Sequence, residues 1–157
     1  MAKTTADEEG RKVVVSNRKA RHEYHVLQTH EAGMVLQGTE VKSLRNGKAN
    51  LQDAFARFDG GELWLHNLHI SPYEQGNRFN HDPLRARKLL LQRRELRKLV
   101  GQVEQQGLTL VPLDIYFRRG IAKITLALVR GKKLHDKRDD LRKKDAEREM
   151  ERAYKGS

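Results

Sequence analysis

The strongest constraint on the fold is a pair of β-strand patterns late in the chain, at residues 108–117 and 121–129. In the second pattern Lys123 and Thr125 alternate with apolar residues, which are Ala122, Ile124, Leu126 and Leu128. A period of two places the apolar side chains on one face of a strand. The Arg-Arg-Gly connection at residues 118–120 is short enough for a hairpin. The sequence therefore predicts two antiparallel strands with one buried face.

Other short strands are predicted nearer the amino terminus. Apolar and β-branched residues favour strands at residues 23–28, 33–37, 54–58 and 62–70. A turn is predicted over residues 29–32, and Asp-Gly-Gly at 59–61 predicts a second turn. Residues 74–83, rich in Gly, Asn and Asp, predict an exposed loop, whereas residues 89–91 predict a buried segment that is either a strand or the entry to a helix.

Three helices are predicted from caps and periodicity. Ser16 and Asn17 are N-cap candidates for a short turn over 18–21, and Thr39 is the candidate for a helix over 40–45. The strongest pattern covers 92–106, where Leu96, Leu99, Val100 and Val103 repeat at helical spacing before Gly107.

About six short antiparallel strands with few helices predict a mainly β (α+β) fold. Closing such a sheet into a small barrel removes its exposed edges. By analogy of size and charge, the expected fold is an oligonucleotide-binding-type antiparallel β-barrel with about three flanking short helices.

Residues 131–157 have a different composition. They contain ten basic and seven acidic residues, and the few apolar ones are Leu134, Leu141, Ala146, Met150, Ala153 and Tyr154. This composition favours a helix but offers too little apolar surface to offset the entropy of ordering it alone. We expect a tail that is disordered when free and becomes helical on a polyanionic partner. The expected organisation is a disordered arm at 1–12, a barrel domain at 13–130 and this tail.

The charge balance favours nucleic acid as the partner. The chain has 32 basic and 21 acidic residues, a formal net charge of +11, and only three of these charges come from the tail. No run approaches the roughly 18 apolar residues of a membrane helix. The polar first residues predict no signal peptide, and the absence of cysteine excludes disulfides and thiolate zinc sites. A cytoplasmic protein is expected.

The start of the predicted helix at 92–106, together with residues 85–91 that lead into it, carries seven basic residues and one acid, Glu95. Such like charges repel one another unless an anion lies nearby, which predicts phosphate contacts. These residues are Arg85, Arg87, Lys88, Arg93, Arg94, Arg97 and Lys98. By contrast, Glu40 is interpreted only as an acid at the start of an ordinary capped helix.

Metal and catalytic sites are weak alternatives. Seven histidines, interpreted mostly as surface or RNA-facing groups, show no spacing typical of a metal site; they are His22, His25, His30, His66, His69, His81 and His135. Asp136, Asp139 and Asp140 could suggest a metal nuclease, but the last two have lysine partners at i+4. Neither catalysis nor a cofactor is expected.

Five motifs, taken together, resemble the bacterial tmRNA-binding protein family, also called small protein B or SsrA-binding protein. They are NRKA at 17–20, EAG at 31–33, GTEVKSLR at 38–45, RKLLL at 87–91 and GKKLHDKR at 131–138. The resemblance covers residues 14–154. It implies the same barrel, and an adaptor that binds the tRNA-like domain of transfer-messenger RNA during rescue of stalled ribosomes.

The resemblance also implies site residues. For the transfer-messenger RNA site they are Asn17, Arg18, Lys19, His22, Tyr24, Glu31, Lys42, Arg45 and Lys48. For the decoding centre and messenger channel of the ribosome they are Lys132, Lys133, His135, Asp136, Lys137, Arg138, Arg142, Lys143, Arg148 and Arg152. An aromatic ring such as that of His135 can stack on a ribosomal RNA base. Glu31, as an acid, suits hydrogen bonding to base donors.

The implied partners are transfer-messenger RNA, the ribosome and, indirectly through the RNA, elongation factor Tu and alanyl-tRNA synthetase. A monomer that does not bind membranes is expected. The alternative is a constitutive ribosomal or RNA-chaperone protein that binds ribosomal RNA permanently.

Overall fold

The fold is described from a computed structural model. The structure describes residues 10–74 and 80–131, together with residues 142, 145, 146, 148 and 150. The predictions for residues 1–9, for 75–79 and for the rest of the tail lie outside the described residues. Residues 11 and 12, predicted as part of a disordered arm, already belong to the first strand because they pair with Arg118 and Phe117.

The described elements are nine strands and three helices of six residues or more. The strands are β1 (Arg11–Ser16), β2 (Tyr24–Met34), β3 (Ala49–Asn50), β4 (Phe55–Asp59), β5 (Glu62–His66), β6 (His69–Ile70), β7 (Arg87–Leu90), β8 (Thr109–Arg118) and β9 (Ile121–Gly131). The helices are α1 (Arg18–Glu23), α2 (Gly38–Arg45) and α3 (Arg93–Gln106). No helix among the described residues is long and apolar enough to cross a membrane.

The main sheet closes on itself. Its strand order is β1-β8-β4-β5-β7-β2-β9, and β9 also pairs with β8. Six strands therefore form a ring, and β1 extends it by pairing with the far end of β8. All pairings are antiparallel, as the sequence predicted. The mainly β barrel with three short flanking helices is confirmed.

The predicted hairpin is one of the two longest pairings of the barrel, the other being β2 with β9. β8 and β9 pair from Thr109–Val129 to Arg118–Ile121, with a bulge between Pro112 and Asp114. The alternating residues of β9 enter the main core, as predicted; they are Ala122, Ile124, Leu126 and Leu128. The opposite face of the hairpin carries a second apolar cluster, which Ala20 of α1 covers; its other members are Val111, Leu113, Ala127 and Val129.

The turn predicted over residues 29–32 is wrong. β2 runs without interruption from Tyr24 to Met34 and pairs with β9 along most of this length. A bulge between Val26 and Gln28 interrupts the register once. The pairing supplies hydrogen bonds to a polar segment that carries little strand signal of its own, so tertiary context overrides the local pattern.

The predicted strand at 62–70 is divided in two. Asn67 has a positive φ of 62°, which breaks the strand after β5. The chain then resumes as β6, which pairs with β3 in a separate two-stranded sheet. Residues 87–90 form β7, which resolves the open choice in favour of a strand. Leu89 is buried as predicted, but Leu90 is half exposed, because alternate side chains of a strand point to opposite faces.

α3 matches its prediction closely. Leu99 is fully buried in the main core, and Leu96 and Val103 pack against that core. The helix ends at Gly107, whose φ of 62° is the left-handed conformation that glycine adopts without strain.

Candidate nucleic-acid interface

α1 is held on the outer face of the barrel by Asn17. The Asn17 carboxamide oxygen accepts a hydrogen bond from the Ala20 backbone amide at 3.1 Å, which caps the helix. Its amide nitrogen donates to the carbonyls of Leu51, at 3.1 Å, and Pro112, at 2.9 Å. Asn17 is buried, so its side chain positions the helix from within the protein.

The basic side chains singled out on α1 lie on its solvent side. Arg18, Lys19 and His22 are all exposed, whereas Ala20 packs into the second apolar cluster beside the partly buried Tyr24. Lys19 lies 3.3 Å from Asp53, but both side chains are open to water. An exposed ion pair of this kind is weak, so Lys19 is available to an RNA phosphate.

Glu31 lies on the same outer face, within a polar network. Tyr116 donates a hydrogen bond from its hydroxyl to Glu31 Oε2, and Arg118 Nη1 lies 2.9 Å from the same oxygen. The Arg11 guanidinium stacks 3.9 Å from the centre of the Tyr116 ring, and that of Arg118 lies 5.6 Å away. Burial, the hydrogen bond to Glu31 and the charge of Glu31 raise the pKa of Tyr116, so its hydroxyl remains a donor.

A second network lies next to the first. Arg11 Nη2 donates to Asp114 Oδ1 and contacts Thr125 Oγ1, both at 3.0 Å, and the Thr125 hydroxyl donates to the same Asp114 oxygen at 2.6 Å. Asp114, Thr125 and Glu31 are cross-strand neighbours on β8, β9 and β2. The two networks therefore form one ordered polar surface.

The strand register groups two further residues, Lys123 and Leu90, on this face of the barrel. Lys123 pairs with both Tyr116 and Gly33, and Gly33 pairs on its other side with Leu90. Leu90 is half exposed, and a side chain at Gly33 would contact it at 3.4 Å. Leu90 and Lys123 therefore flank Gly33 on neighbouring strands, which places an exposed apolar side chain and a cation on the same face. Only the strand pairing could have revealed this grouping.

The remaining predicted residues of the barrel lie on and just after α2. Lys42, Arg45 and Lys48 are exposed. The Lys42 ammonium lies 5.4 Å from the centre of the Tyr73 ring, and the Arg45 guanidinium lies 5.6 Å from that of Phe117. Lys48 lines a cleft of about 420 Å³ at the end of the helix. α2 packs on the main core through Leu44. Lys42, Arg45 and Lys48 therefore form a second group of cations, separate from the group on α1.

Glu40 caps the start of α2, as the sequence indicated, but it is also the centre of a buried ion-pair cluster that the sequence did not predict. Glu40 is fully buried and accepts hydrogen bonds from the Gln37 amide at 2.8 Å, from Arg85 Nε at 3.1 Å and from Arg87 Nε at 2.6 Å. Burial raises the pKa of Glu40, but these hydrogen bonds and the charge of Arg87 outweigh it and hold the pKa below its ordinary value. The carboxylate therefore stays ionised in the interior.

Arg87 was predicted to contact phosphate, and this prediction is also wrong. Its guanidinium is fully buried, and besides Glu40 it donates to the carbonyls of Leu68 and Pro83. Arg85 shares Glu40, while Lys88 lies 2.9 Å from Glu62. Arg85 and Arg87 are held by Glu40 and Lys88 lies in an exposed ion pair, so within this group of seven basic residues the exposed cations are those of α3. They are Arg93, Arg94, Arg97 and Lys98.

The predicted N-cap Thr39 serves another role. α2 begins at Gly38 after Gln37, and the Thr39 hydroxyl bonds to His81 Nδ1 at 2.8 Å. His81 is buried, and its Nε2 donates to the Ile70 carbonyl at 2.8 Å, so both ring nitrogens are hydrogen-bonded within the protein. The interpretation of His81 as a surface histidine is therefore wrong. Within residues 10–74 and 80–131, no cluster of three or more metal-ligating side chains occurs.

Most of the predicted tail residues lie outside the described part of the chain. These are Lys132, Lys133, His135, Asp136, Lys137, Arg138, Lys143 and Arg152. Arg142 and Arg148 are described, and both are helical and exposed.

Comparison with known proteins identifies the family. A family model described as SmpB protein matches residues 14–156. The chain is 60% identical over 144 residues to the SsrA-binding protein of Geobacillus thermodenitrificans, which covers 92% of this chain and 93% of that protein. It is 62% identical over 148 residues to the SsrA-binding protein of Desulforudis audaxviator, which covers 94% and 97%.

The chain belongs to the SmpB protein family. A solved structure described as "tmRNA-SmpB: a journey to the center of the bacterial ribosome" agrees at the level of the fold. Its TM-score is 0.65 and its sequence identity is 61%, with coverage of 76% of this chain and 85% of that one. The family resemblance inferred from the five sequence motifs is thereby confirmed.

Proposed function

We propose that this chain is an RNA-binding adaptor that binds the tRNA-like domain of transfer-messenger RNA and delivers it to stalled ribosomes for trans-translation. The observation that carries this proposal is the match to SsrA-binding proteins over more than nine-tenths of the chain at about 60% identity. The neighbouring structure, whose description names tmRNA and the bacterial ribosome, supports the same two partners.

The outer face of the barrel is the proposed site for transfer-messenger RNA. Exposed cations on α1 suit phosphate contacts, which supply affinity without reading sequence. Glu31 and Leu90 suit contacts with bases, through hydrogen bonding and apolar packing respectively. Asn17 supports α1 from beneath, and α2 contributes a second group of cations. The proposed contacts are Arg18, Lys19, His22, Tyr24, Glu31, Leu90 and Lys123, with Lys42, Arg45 and Lys48 on the second group.

The tail is proposed to act on the ribosome rather than on transfer-messenger RNA. Residues 13–130 would form the RNA-binding domain, and 131–157 would become helical in the empty messenger channel. In this proposal the run from Lys132 to Arg138 probes the decoding centre, while phosphate contacts follow downstream. Those contacts are Arg142, Lys143, Arg148 and Arg152.

The proposal requires no catalytic step in this chain. Elongation factor Tu and alanyl-tRNA synthetase would act on the RNA, so their link to the chain is indirect. The adaptor would work as a monomer in the cytoplasm, where ribosomes stall.

The proposal is tested by identifying the RNA that copurifies with the full chain from cells. We expect transfer-messenger RNA to be enriched over ribosomal RNA after a high-salt wash. A chain that instead remained on every ribosomal subunit in stoichiometric amount after the same wash would be a constitutive ribosomal protein, and the proposal would fail.

Arg97→Ala tests the exposed cations of α3. If Arg97 contacts a phosphate, its removal should lower the slope of log affinity against log salt concentration by about one unit. The measurement is equilibrium binding of transfer-messenger RNA across a salt series. Gln105→Ala, which changes an exposed neutral residue on the same helix, should leave the slope unchanged. Equal slopes for Arg97→Ala and the unchanged protein would exclude this contact.

A further inference from the structure

We propose that Tyr116 and Arg118 are positioning residues that hold the Glu31 carboxylate by its oxygen Oε2, so that Oε1 is the atom that accepts a hydrogen bond from an RNA base. This inference rests on the proposed function, because it assigns the roles of individual atoms within the same site.

Both contacts that hold Glu31 converge on one oxygen. The Tyr116 hydroxyl donates to Oε2, and Arg118 Nη1 lies 2.9 Å from Oε2. Among residues 10–74 and 80–131, no donor reaches Oε1. The Glu31 side chain keeps 38% of its surface exposed. One oxygen is therefore fixed within the protein, while the other retains its capacity to accept a hydrogen bond from a ligand.

The contacts of Tyr116 determine the direction of the carboxylate. Tyr116 is almost fully buried, and the Arg11 guanidinium lies over its ring, 3.9 Å from the centre. Arg11 is itself held by Asp114 at 3.0 Å. The hydroxyl thus comes from a ring with little freedom to move. A carboxylate held in this way loses less conformational entropy when a base binds it.

Arg118 offsets the negative charge of Glu31. A lone carboxylate would repel the phosphates that surround a bound base, because like charges at short range cost energy. An ion pair with Arg118 offsets this charge, and Arg118 keeps 31% of its side chain exposed. The Glu31–Arg118 pair can therefore approach RNA without repulsion and still present a strong acceptor. Such an acceptor favours bases that carry an amino group, namely adenine, cytosine and guanine.

Tyr116→Phe is the direct test, because it removes only the hydroxyl and keeps the buried ring. We expect the affinity of the full chain for transfer-messenger RNA to fall about tenfold, the usual range for losing a hydrogen bond to a charged group. The salt slope should remain unchanged, since no phosphate contact is lost. Glu31→Gln should weaken binding to a similar extent, and adding Tyr116→Phe to it should have little further effect, which would show that the two residues are coupled.

Thr109→Val is the matched control. It removes a hydroxyl from an exposed position at the start of the same strand, β8, opposite Val129 and outside the contacts of Tyr116, Arg11, Asp114 and Glu31. Its affinity for the RNA should stay within about twofold of the unchanged protein. Thermal unfolding of each variant separates a positioning role from a structural one, because a purely structural Tyr116→Phe would lower the melting temperature and leave affinity intact.

Two outcomes would overturn the inference. One is that Tyr116→Phe binds as tightly as the unchanged protein. The other is that the effects of Tyr116→Phe and Glu31→Gln add fully. Failure of the proposed function gives a different result, because the unchanged protein would then itself fail to bind transfer-messenger RNA.

Discussion

Glu40→Gln is expected to lower the free energy of unfolding by about 3–5 kcal/mol, the usual cost of removing one partner from a buried ion pair. Glutamine keeps the size of the side chain but removes the charge that balances two guanidinium groups. Arg87, fully buried, would then face an amide instead of a carboxylate at 2.6 Å. Urea denaturation followed by circular dichroism measures the change. A loss as large as this is a substantial part of the total stability of a small domain.

Glu62→Gln is the control for this experiment. Glu62 lies 2.9 Å from Lys88, but the two side chains are 46% and 36% exposed. Water screens such a pair, so the free energy of unfolding should change by less than about 0.5–1 kcal/mol. If both variants lost the same free energy of unfolding, the buried Glu40 ion pairs would stabilise the protein no more than the exposed Glu62–Lys88 pair, which would contradict the prediction.

The pH dependence follows from the direction of the Glu40 shift. Hydrogen bonds from Arg85, Gln37 and Arg87, together with the charge of Arg87, overcome the effect of burial and hold the pKa of Glu40 below its ordinary value of 4.5. The unfolded chain therefore binds this proton more readily than the folded protein. The contribution of Glu40 is complete above pH 4.5 and is lost as pH falls through the folded pKa. The stability gap between the unchanged protein and Glu40→Gln should accordingly narrow under acidic conditions.

Ending the chain after Gly131 is expected to abolish tagging of nascent peptides on stalled ribosomes while leaving the affinity for transfer-messenger RNA nearly intact. This end point preserves β9, whose last residues pair with Tyr24 and His25. The deleted segment has an excess of only three positive charges, so we expect the RNA affinity to change by about threefold or less at moderate salt. Tagging is measured in a reconstituted translation reaction stalled on a messenger that lacks a stop codon.

The matched control removes residues 2–9, a terminal segment of mixed charge outside the described residues. It should retain both RNA binding and tagging. Normal tagging by the chain ending at Gly131 would contradict the proposed role of the tail. Loss of RNA affinity in that variant would instead contradict the division of labour between barrel and tail.

Local patterns predicted the elements whose partners are close in sequence. The β8–β9 hairpin and α3 depend on alternation, helical spacing and Gly107, and each of these signals lies within about twenty residues. Both ends of β2 were predicted, but its continuation through residues 29–32 was missed because the hydrogen bonds of this polar segment come from β9, roughly a hundred residues away. The break at Asn67 was also missed, since a positive φ at asparagine leaves little trace in the sequence.

The residues of the candidate site were also predicted only in part from local patterns. The motif resemblance named α1 and Glu31, which the fold brings onto one face of the barrel. It did not indicate that Tyr116 and Arg118 contact Glu31, because Tyr116 is 85 positions away from it. Counting basic residues before α3 overestimated the charge available for phosphate. Two of those residues are committed to Glu40, 45 and 47 positions away along the chain.

The sequence by itself determined the class of fold, the excess of positive charge and the family of this protein, because each is carried by composition or by contiguous motifs. Only the tertiary structure decided which charged residues pair with one another inside the protein and which remain exposed on its surface. The physical reason is that a buried ion pair forms between residues distant in sequence, and the local pattern around a glutamate or an arginine does not record its partner.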